Sequence, residues 1–420
     1  MNELQEKILK RNAVRLLPIL TLAYLVNYLD RTNISFAALT MNKDIGLTAT
    51  QYGRGAGIFF IAYCAFEIPS NLALYRFGAR LWIARIMVSW GLVSIGTVLV
   101  SGPWSFYIMR FLLGLAEAGF FAGVAFYLAA WFPAQYRARI LAGFLVAIPF
   151  STVVGAPLSG ALLQLDGIFG LAGWKWLLIV EGLPAVVLGV AIAFLLADRP
   201  QTADWLTPLE KTALTEMLDA EPRERVREGM LEAFKDRRVV VCALVQFGFT
   251  IGSYGILFWL PQVLKTSGLS DLNVSLLTAI PYAFATVAMI VWALAVDASG
   301  KKIGNLAVTC GLGAVGLVIS VLTGSLAVGL AGLTIALVGI TSARAIFWTI
   351  PTRFLTGVGA ASGLALINSI GVMGGYFGPE LMGLLKDATG GYLAGLLTMA
   401  GILALSTLLA ASLKLLIKLE

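Results

Sequence analysis

Histidine is absent from the chain, and its absence excludes several kinds of site at once. No proton relay, metal centre or catalytic triad can depend on an imidazole. A GxxxxGK[ST] run is also missing, so the sequence offers no phosphate-binding loop for coupling ATP hydrolysis. The three cysteines, Cys64, Cys242 and Cys310, lie in apolar runs and suggest no metal site. We therefore expect no cofactor and no enzyme activity, since nothing resembles a nucleophile with a positioned base.

Charged residues are scarce as well. They make up 13% of the 420 residues, against 59% hydrophobic residues, whereas about a quarter of the residues of a soluble globular protein are charged. Apolar runs of roughly 20 residues, the length that a helix needs to cross a bilayer, recur along the whole chain. The first of them follows a charged N-terminus and is too long for a removable signal peptide. The composition thus predicts an all-α integral membrane protein.

The hydropathy pattern predicts twelve transmembrane helices. Their expected ranges are 16–39, 53–74, 81–101, 105–131, 140–163, 175–197, 239–264, 274–296, 305–323, 326–349, 359–384 and 392–413. One long polar segment separates the sixth span from the seventh. It divides the chain into an N-terminal six-helix bundle (1–197), a cytoplasmic linker (198–238) and a C-terminal six-helix bundle (239–420). Within the linker, Thr207 is a plausible helix cap before Pro208 and Glu210.

An internal repeat relates the two halves. The runs "GAPLSG" at 155–160 and "GPELMG" at 378–383 place Pro157 and Pro379 222 residues apart, and Pro133 precedes Pro351 by 218 residues. The first spans of the two halves also begin about 223 residues apart. Two halves related by a parallel repeat are a known transporter architecture.

The distribution of Lys and Arg predicts the orientation in the membrane. If the N-terminus is cytoplasmic, 22 of the 30 basic residues lie on the cytoplasmic side, five lie outside and three lie within spans. This asymmetry places both termini in the cytoplasm. It also explains the net charge of +7 without a nucleic-acid partner.

Four charged residues fall inside two of the predicted spans. Asp30 and Arg31, in "NYLDRTNISFA", are near mid-membrane, about 20 Å from the ends of the first span. Arg110 and Glu117, in "RFLLGLAEAGF", are seven residues apart and share a helix face. A charge at the centre of a spanning helix costs about 3 kcal/mol on insertion scales. Interhelical salt bridges are one explanation, and a polar cavity with proton-binding carboxylates is the explanation that we favour.

Three other charges are read differently. For Glu67 and Glu181 we expect structural roles, capping or bridging helices. Arg344 lies within two turns of the end of the tenth span, so snorkelling to the cytoplasmic surface is the favoured interpretation. The alternative for Arg344 is a place in a central cavity, where it shares a face with Trp348 and could bind a second carboxylate.

At these residues the sequence resembles the major facilitator superfamily, and within it the anion:cation symporter family. The matching runs are "NYLDRTNISFA", "FEIPSNLALYRFGAR", "RFLLGLAEAGF", "WKWLLIVEGLP" and "IPTRFLTGVGAASGLALINSIGVMGGYFGP". They cover both halves, and the last is most similar to the bacterial phthalate and tartrate branch. The resemblance implies the major facilitator fold and proton-driven uptake of small organic anions by alternating access.

The resemblance also implies roles for individual residues. Arg31 is expected to meet the substrate carboxylate, Asp30 and Glu117 to carry protons, and Arg110 to be the partner of Asp30. The residues expected to line the central cavity are Tyr28, Tyr63, Gln246, Trp348 and Asn368. The sequence departs from the family at Tyr75 and Ala298, in loops that hold the cytoplasmic gate, and at Arg344, where a small or apolar residue is usual.

The sequence therefore predicts a secondary transporter that imports a small organic anion, such as a dicarboxylate or sugar acid, by proton symport. We expect a monomer in a bacterial inner membrane, with protons, the anion and the lipid bilayer as its partners. An anion exchanger or a sodium-coupled carrier of the same fold is the first alternative. A membrane sensor or scaffold that transports nothing is the second.

Overall fold

A computed structural model of the chain describes residues 3–219, 235–355 and 358–417, and every regular element within these ranges is helical. The helices of the first half are α1 (Glu3–Asp44), α2 (Ala49–Phe77), α3 (Ala79–Gly96), α4 (Pro103–Glu117), α5 (Phe120–Ala129), α6 (Ala134–Leu163) and α7 (Gly173–Leu195). Those that follow are α8 (Pro208–Asp219), α9 (Arg237–Lys265), α10 (Asp271–Ser299), α11 (Lys302–Val321), α12 (Leu326–Phe347), α13 (Pro351–Phe354), α14 (Val358–Thr389) and α15 (Leu393–Leu416).

These helices form twelve transmembrane spans in two six-helix bundles, as the sequence predicts. Within the described ranges, eleven helical segments are long and apolar enough to cross a membrane, and the 32-residue α14 supplies the remaining span. The fourth span consists of α4 and α5, and α13 continues the tenth span after α12. The first helix is longer than predicted, because its polar N-terminal part, from Glu3, packs against the linker.

The fourth span is broken at a position that matters for the site. Helix α4 ends at Glu117, Ala118 is extended, and Gly119 adopts the left-handed region at φ 83° before α5 begins. A side chain is disfavoured there by conformation and by space, since a Cβ on Gly119 would lie 2.6 Å from the Oγ of Ser70. The break places the Glu117 carboxyl at the end of a helix instead of within one.

The bundles meet along three helix pairs. Helix α2 packs against α14, α6 against α10, and α1 against α9. The α2–α14 contact depends on glycine: a Cβ on Gly53 would lie 2.3 Å from the carbonyl oxygen of Pro379, and one on Gly383 would lie 2.4 Å from that of Ala49. The backbones of the two bundles therefore touch directly at one end of the molecule. We call this the sealed end, and we call the opposite end, which carries the segment between α7 and α9, the linker end.

The described part of the linker is held against the first bundle. Helix α8 begins with the predicted cap: the Thr207 amide donates to the Glu210 carboxylate at 2.9 Å, and the Glu210 amide donates to the Thr207 hydroxyl at 3.3 Å. Glu210 also accepts from Arg11 of α1 at 2.8 Å. The indole of Trp205 donates to Asn12 at 3.0 Å and stacks on Trp131. The rest of the predicted cytoplasmic linker, from 220 to 234, lies outside the described residues.

Candidate functional site

A cavity of about 860 Å³ lies between the two bundles and opens at the linker end. Lys302 and Arg353, at the starts of α11 and α13, line its mouth, and Arg31 lies in its wall at mid-membrane. All of the residues predicted to line a central cavity are in its wall: Tyr28, Tyr63, Gln246, Trp348 and Asn368. The volume falls in the range typical of small-molecule sites.

Arg31 forms a buried ion pair at this wall. Its Nη2 lies 2.6 Å from Oε2 of Glu117, and the same oxygen accepts a hydrogen bond from Asn27 at 2.9 Å. The guanidinium is surrounded by the rings of Tyr28, Phe59 and Tyr63, whose centroids are 4.8–5.3 Å from its Cζ. These contacts fix a cation beside the cavity. The other oxygen of Glu117 and the Nε of Arg31 are buried and have no hydrogen-bond partner among the described residues.

Asp30 faces away from Arg31, toward α3. Its carboxylate accepts hydrogen bonds from Trp90 at 3.0 Å, Ser94 at 3.1 Å and Asn33 at 3.2 Å. The side chain is fully buried, and no basic residue in the described ranges lies within ion-pair distance of it. The carboxylate is thus held by neutral donors alone, behind α1 as seen from the cavity.

Arg110 does not pair with Asp30 in this conformation, contrary to the sequence-based expectation. Its guanidinium is 2% exposed, and its Nε and Nη2 have no hydrogen-bond partner among the described residues. Its Cζ lies 5.2 Å from the ring centroid of Phe59, while Arg31 lies 4.9 Å from the same centroid. Glu117 pairs with Arg31, and the Asp30 carboxylate faces α3. Arg110 therefore has no carboxylate partner among the described residues.

Arg344 points into the cavity, so the favoured interpretation of snorkelling is wrong. Its Nη2 donates to the Ser253 hydroxyl at 2.7 Å, and its Cζ lies 5.9 Å from the ring centroid of Tyr254. Ser253 on α9 draws the half-buried side chain inward, away from the helix end. No carboxylate of the described residues lies within ion-pair distance of this guanidinium.

The other two acids differ from each other. Glu181 bridges two helices as predicted, since it accepts from Ser159 of α6 at 2.6 Å. The structural role expected for Glu67 is wrong in this conformation: its half-buried side chain lines the cavity, and no hydrogen bond or ion pair joins it to the described residues. The cavity wall otherwise carries four basic residues, Arg31, Lys302, Arg344 and Arg353, of which Arg31 is paired with Glu117.

Inter-bundle hydrogen bonds close the sealed end. Asp387 at the end of α14 accepts from the amides of Ala49 and Thr50, at 3.2 and 2.7 Å, and from the Thr50 hydroxyl at 2.6 Å. It thereby caps the N-terminus of α2 from the other bundle. Arg54 and Glu380 add an ion pair of 3.0 Å across the same contact.

Sequence reasoning missed several residues of the site. Asn27, which donates to Glu117, lies one helical turn before Arg31, and this spacing could have indicated it. Ser253 gave no such signal, because a Ser hydroxyl in an apolar span usually bonds a carbonyl of its own helix. Within the described ranges, no group of three His, Cys, Asp or Glu side chains could hold a metal ion.

A cavity between two six-helix bundles, open at one end and closed by inter-bundle contacts at the other, defines a membrane transporter. The sequence model of the Major Facilitator Superfamily matches residues 20–379. The chain belongs to this superfamily.

Known relatives agree with this assignment. The chain is 46% identical over 410 residues to a protein of Agrobacterium vitis named "Putative tartrate transporter", covering 97% of this chain and 91% of that protein. It is 41% identical over 398 residues to a quinolone resistance transporter of Acinetobacter baumannii, covering 94% and 92%. Among solved structures, an inward-facing, unoccupied bacterial homologue of the human lysosomal transporter Spinster superposes with a TM-score of 0.76 at 16% identity, covering 98% of this chain and 97% of that one. The last similarity supports the fold alone.

Proposed function

We propose that the protein imports a small organic anion by proton symport, with Arg31 as the site for a substrate carboxylate. The observation that carries this proposal is the Arg31–Glu117 ion pair of 2.6 Å in the wall of the cavity. Arginine binds carboxylates through two parallel hydrogen bonds, and the Glu117 carboxylate occupies part of that position in this conformation. The excess of cations in the wall and the name of the Agrobacterium vitis relative support the same class of substrate.

Competition for Arg31 couples the substrate to a proton. A substrate carboxylate that binds Arg31 displaces Glu117, which then keeps Asn27 as its donor. A buried carboxylate without a cation is costly, so Glu117 takes up a proton as the substrate binds. Substrate and proton therefore enter the same state of the carrier, and release of one favours release of the other.

Asp30 and Arg110 belong to the same proposal. Three neutral donors and no cation surround Asp30 among the described residues, so it is placed to carry a second proton. Arg110 is a buried cation that lacks an acid in this conformation, and a buried unpaired charge is expensive. We propose that it gains a carboxylate partner when the sealed end opens.

The orientation follows from the distribution of basic residues. Both termini and the linker end face the cytoplasm of a bacterial cell, so the cavity opens inward in this conformation. We propose that one chain is the transporting unit, since residues of both bundles complete the cavity. We propose that opening of the sealed end exposes the same cavity to the outside.

Proton linkage tests this mechanism directly. L-Tartrate is titrated calorimetrically into the purified protein in two buffers of equal pH and different ionisation enthalpy, which yields the number of protons taken up on binding. We expect net proton uptake by the wild type and a clearly smaller uptake by Glu117→Gln, because Asp30 remains. Glu181→Gln, which removes another buried acid, is the matched control and should keep the uptake. Binding by the wild type without proton uptake would favour an exchanger or a sodium-coupled carrier.

A further inference from the structure

The cavity continues toward the sealed end as a small alcove beside Arg344. Its volume is about 20 Å³, which is enough for one water-sized group. Seven of its twelve lining residues carry hydroxyls: Tyr28, Thr32, Thr152, Ser253, Tyr254, Tyr282 and Thr341. Tyr28, Tyr254 and Arg344 line both the alcove and the main cavity. A ligand in the cavity can therefore reach the alcove with one of its ends.

The polar groups of the alcove are not all satisfied by the protein. Thr32 and Thr341 donate to carbonyls of their own helices, but the hydroxyl of Tyr282, on a residue that is 5% exposed, has no partner among the described residues. A buried hydroxyl without a partner costs free energy. Tyr282 is thus a donor and acceptor that is available to a ligand.

Gln246 presents a second unsatisfied group in the adjoining wall. Its side chain is 6% exposed, its amide oxygen is buried without a partner, and its amide makes no hydrogen bond to the described residues. A carboxylate can only accept hydrogen bonds, so it satisfies the donors of such an amide but not its oxygen. A ligand hydroxyl satisfies either.

Arg344 supplies the charge. Its guanidinium donates to Ser253 and meets no carboxylate in the described residues, although it lies in a largely apolar span. Arg31 belongs to the first bundle and Arg344 to the second, and both line one cavity. A ligand with two carboxylates can bind both cations and connect the bundles.

We propose that Arg344 and Tyr282 form a subsite for the distal carboxylate and a hydroxyl of a hydroxydicarboxylate, with Gln246 free to bind a second hydroxyl from the wall of the main cavity. This inference depends on the proposed function in one respect, namely that Arg31 binds the proximal carboxylate. It goes further by naming the substrate class: a diacid with hydroxyl groups, instead of a monoacid. The small alcove admits a carboxylate oxygen or a hydroxyl of such a ligand, while the rest of the ligand lies in the main cavity.

Three ligands separate the contributions of the second carboxylate and the hydroxyls. L-Tartrate has two carboxylates and two hydroxyls, succinate lacks the hydroxyls, and D-glycerate lacks the second carboxylate. Calorimetry on the purified protein should show the tightest binding for tartrate. Arg344→Gln should weaken tartrate and succinate by about ten- to a hundredfold, the scale of a charged hydrogen bond, and should leave glycerate nearly unchanged.

The hydroxyl is tested by Tyr282→Phe. This change keeps the ring and should weaken tartrate by about two- to tenfold, the scale of a neutral hydrogen bond, without changing succinate. Arg353→Gln is the control for general electrostatics, because Arg353 lines the mouth of the cavity. Its effect should be equal for tartrate and succinate and smaller for glycerate only in proportion to its single charge. Tyr75→Phe, on an exposed tyrosine of α2, is the control for loss of a phenol.

The outcomes distinguish the two proposals. If Arg344→Gln weakens glycerate as much as tartrate, or if the wild type binds succinate as tightly as tartrate, the subsite is wrong while the role of Arg31 stands. If the wild type binds none of the three ligands, or binds them with no effect of Arg31→Lys, the proposed function fails as well.

Discussion

The two bundles contribute different chemistry to one cavity. In the first bundle, Asp30, Glu117 and Glu181 are at most 1% exposed. The arginines Arg31 and Arg110 are buried beside them. In the described part of the second bundle, the buried acid is Glu380, at the sealed end, and the mid-membrane charge that faces the cavity is the cation Arg344. Among the described residues, the buried mid-membrane acids are thus confined to the first bundle.

This asymmetry suggests a division of labour. In the proposed mechanism, the first bundle holds acids that exchange protons and a cation, Arg31, for which the substrate competes with Glu117. The second bundle offers a cation and uncharged polar groups, which can select the substrate but cannot carry protons. A ligand that binds both Arg31 and Arg344 would connect the two bundles, so that binding in one bundle affects the position of the other. The predictions below test this division.

The largest expected effect is the loss of coupling in the first bundle. In proteoliposomes with an imposed pH gradient, Asp30→Asn and Glu117→Gln should each abolish concentrative uptake of tartrate, because each removes a proton-binding acid. Glu117→Gln should keep counterflow, since exchange can proceed with a carrier that is permanently neutral at this position. Arg344→Gln, in the second bundle, should lower affinity and still permit accumulation at saturating substrate. Normal accumulation by both acid variants would remove the acids from the mechanism.

The next effect concerns recognition by the first bundle. Arg31→Lys keeps the charge but loses the fork of donors that binds a carboxylate in two places. A hydrogen bond to a charged group is worth about 1.5–3 kcal/mol, so we expect a ten- to hundredfold loss of affinity for tartrate. Calorimetric titration measures it, and an unchanged melting temperature shows that the variant is folded. An unchanged dissociation constant would mean that the substrate does not bind Arg31.

Much of this arrangement could be predicted from the sequence. The spans follow from apolar runs whose length matches the bilayer, and the site residues stand out because charge within such runs is expensive. The cap of α8 was also predictable, since Thr207 and Glu210 have the spacing of a capping box. These features depend on residues close together in the chain.

The pairing of the charges could not be predicted in the same way. Asp30 and Arg31 are neighbours in sequence, but successive residues of a helix point about 100° apart. One side chain therefore meets Trp90 and Ser94, and the other meets Glu117. Such partners depend on the rotation of α1 against α3 and α4, which no local pattern encodes.

Arg344 shows a second limit of the same kind. Its short distance from the helix end predicted snorkelling. That distance gives the depth of the residue in the membrane but not the direction of its side chain. The direction of the side chain depends on Ser253, 91 residues away on another helix. The family resemblance could not help, because the family usually has a small or apolar residue at this position.

A smaller effect is expected at the contact that closes the sealed end. Asp387→Asn weakens charge-assisted hydrogen bonds to the N-terminus of α2, so the population with an open sealed end should rise. Glu380→Gln should shift it less, because Arg54 is 45% exposed in that ion pair and exposed pairs contribute little. Spin labels on Lys43→Cys and Thr266→Cys, one in each bundle, would measure the distance distribution in a background without native cysteines. An equal or larger shift for Glu380→Gln would reverse the assigned order.

The smallest expected effect concerns the stability with which α8 of the linker is docked on the first bundle. The pKa of Glu210 is lowered from its ordinary value of 4.5, chiefly by the Thr207 amide that donates to the carboxylate, with a further contribution from Arg11. A lowered pKa means that the ionised form stabilises the docked state. Its contribution is therefore complete above pH 4.5 and is lost as the pH falls through the lower pKa of the folded protein.

Glu210→Gln should accordingly speed hydrogen–deuterium exchange of the α8 amides at neutral pH, relative to the wild type at the same pH. The effect should be modest, because the Arg11 side chain is 38% exposed and water screens the pair. The difference should shrink in acid, where the wild-type carboxyl is protonated too. Glu216→Gln, an exposed position on the same helix, should leave exchange unchanged. Equal exchange by Glu210→Gln and the wild type at neutral pH would mean that packing of Trp205 and Trp131 holds α8 without the ion pair.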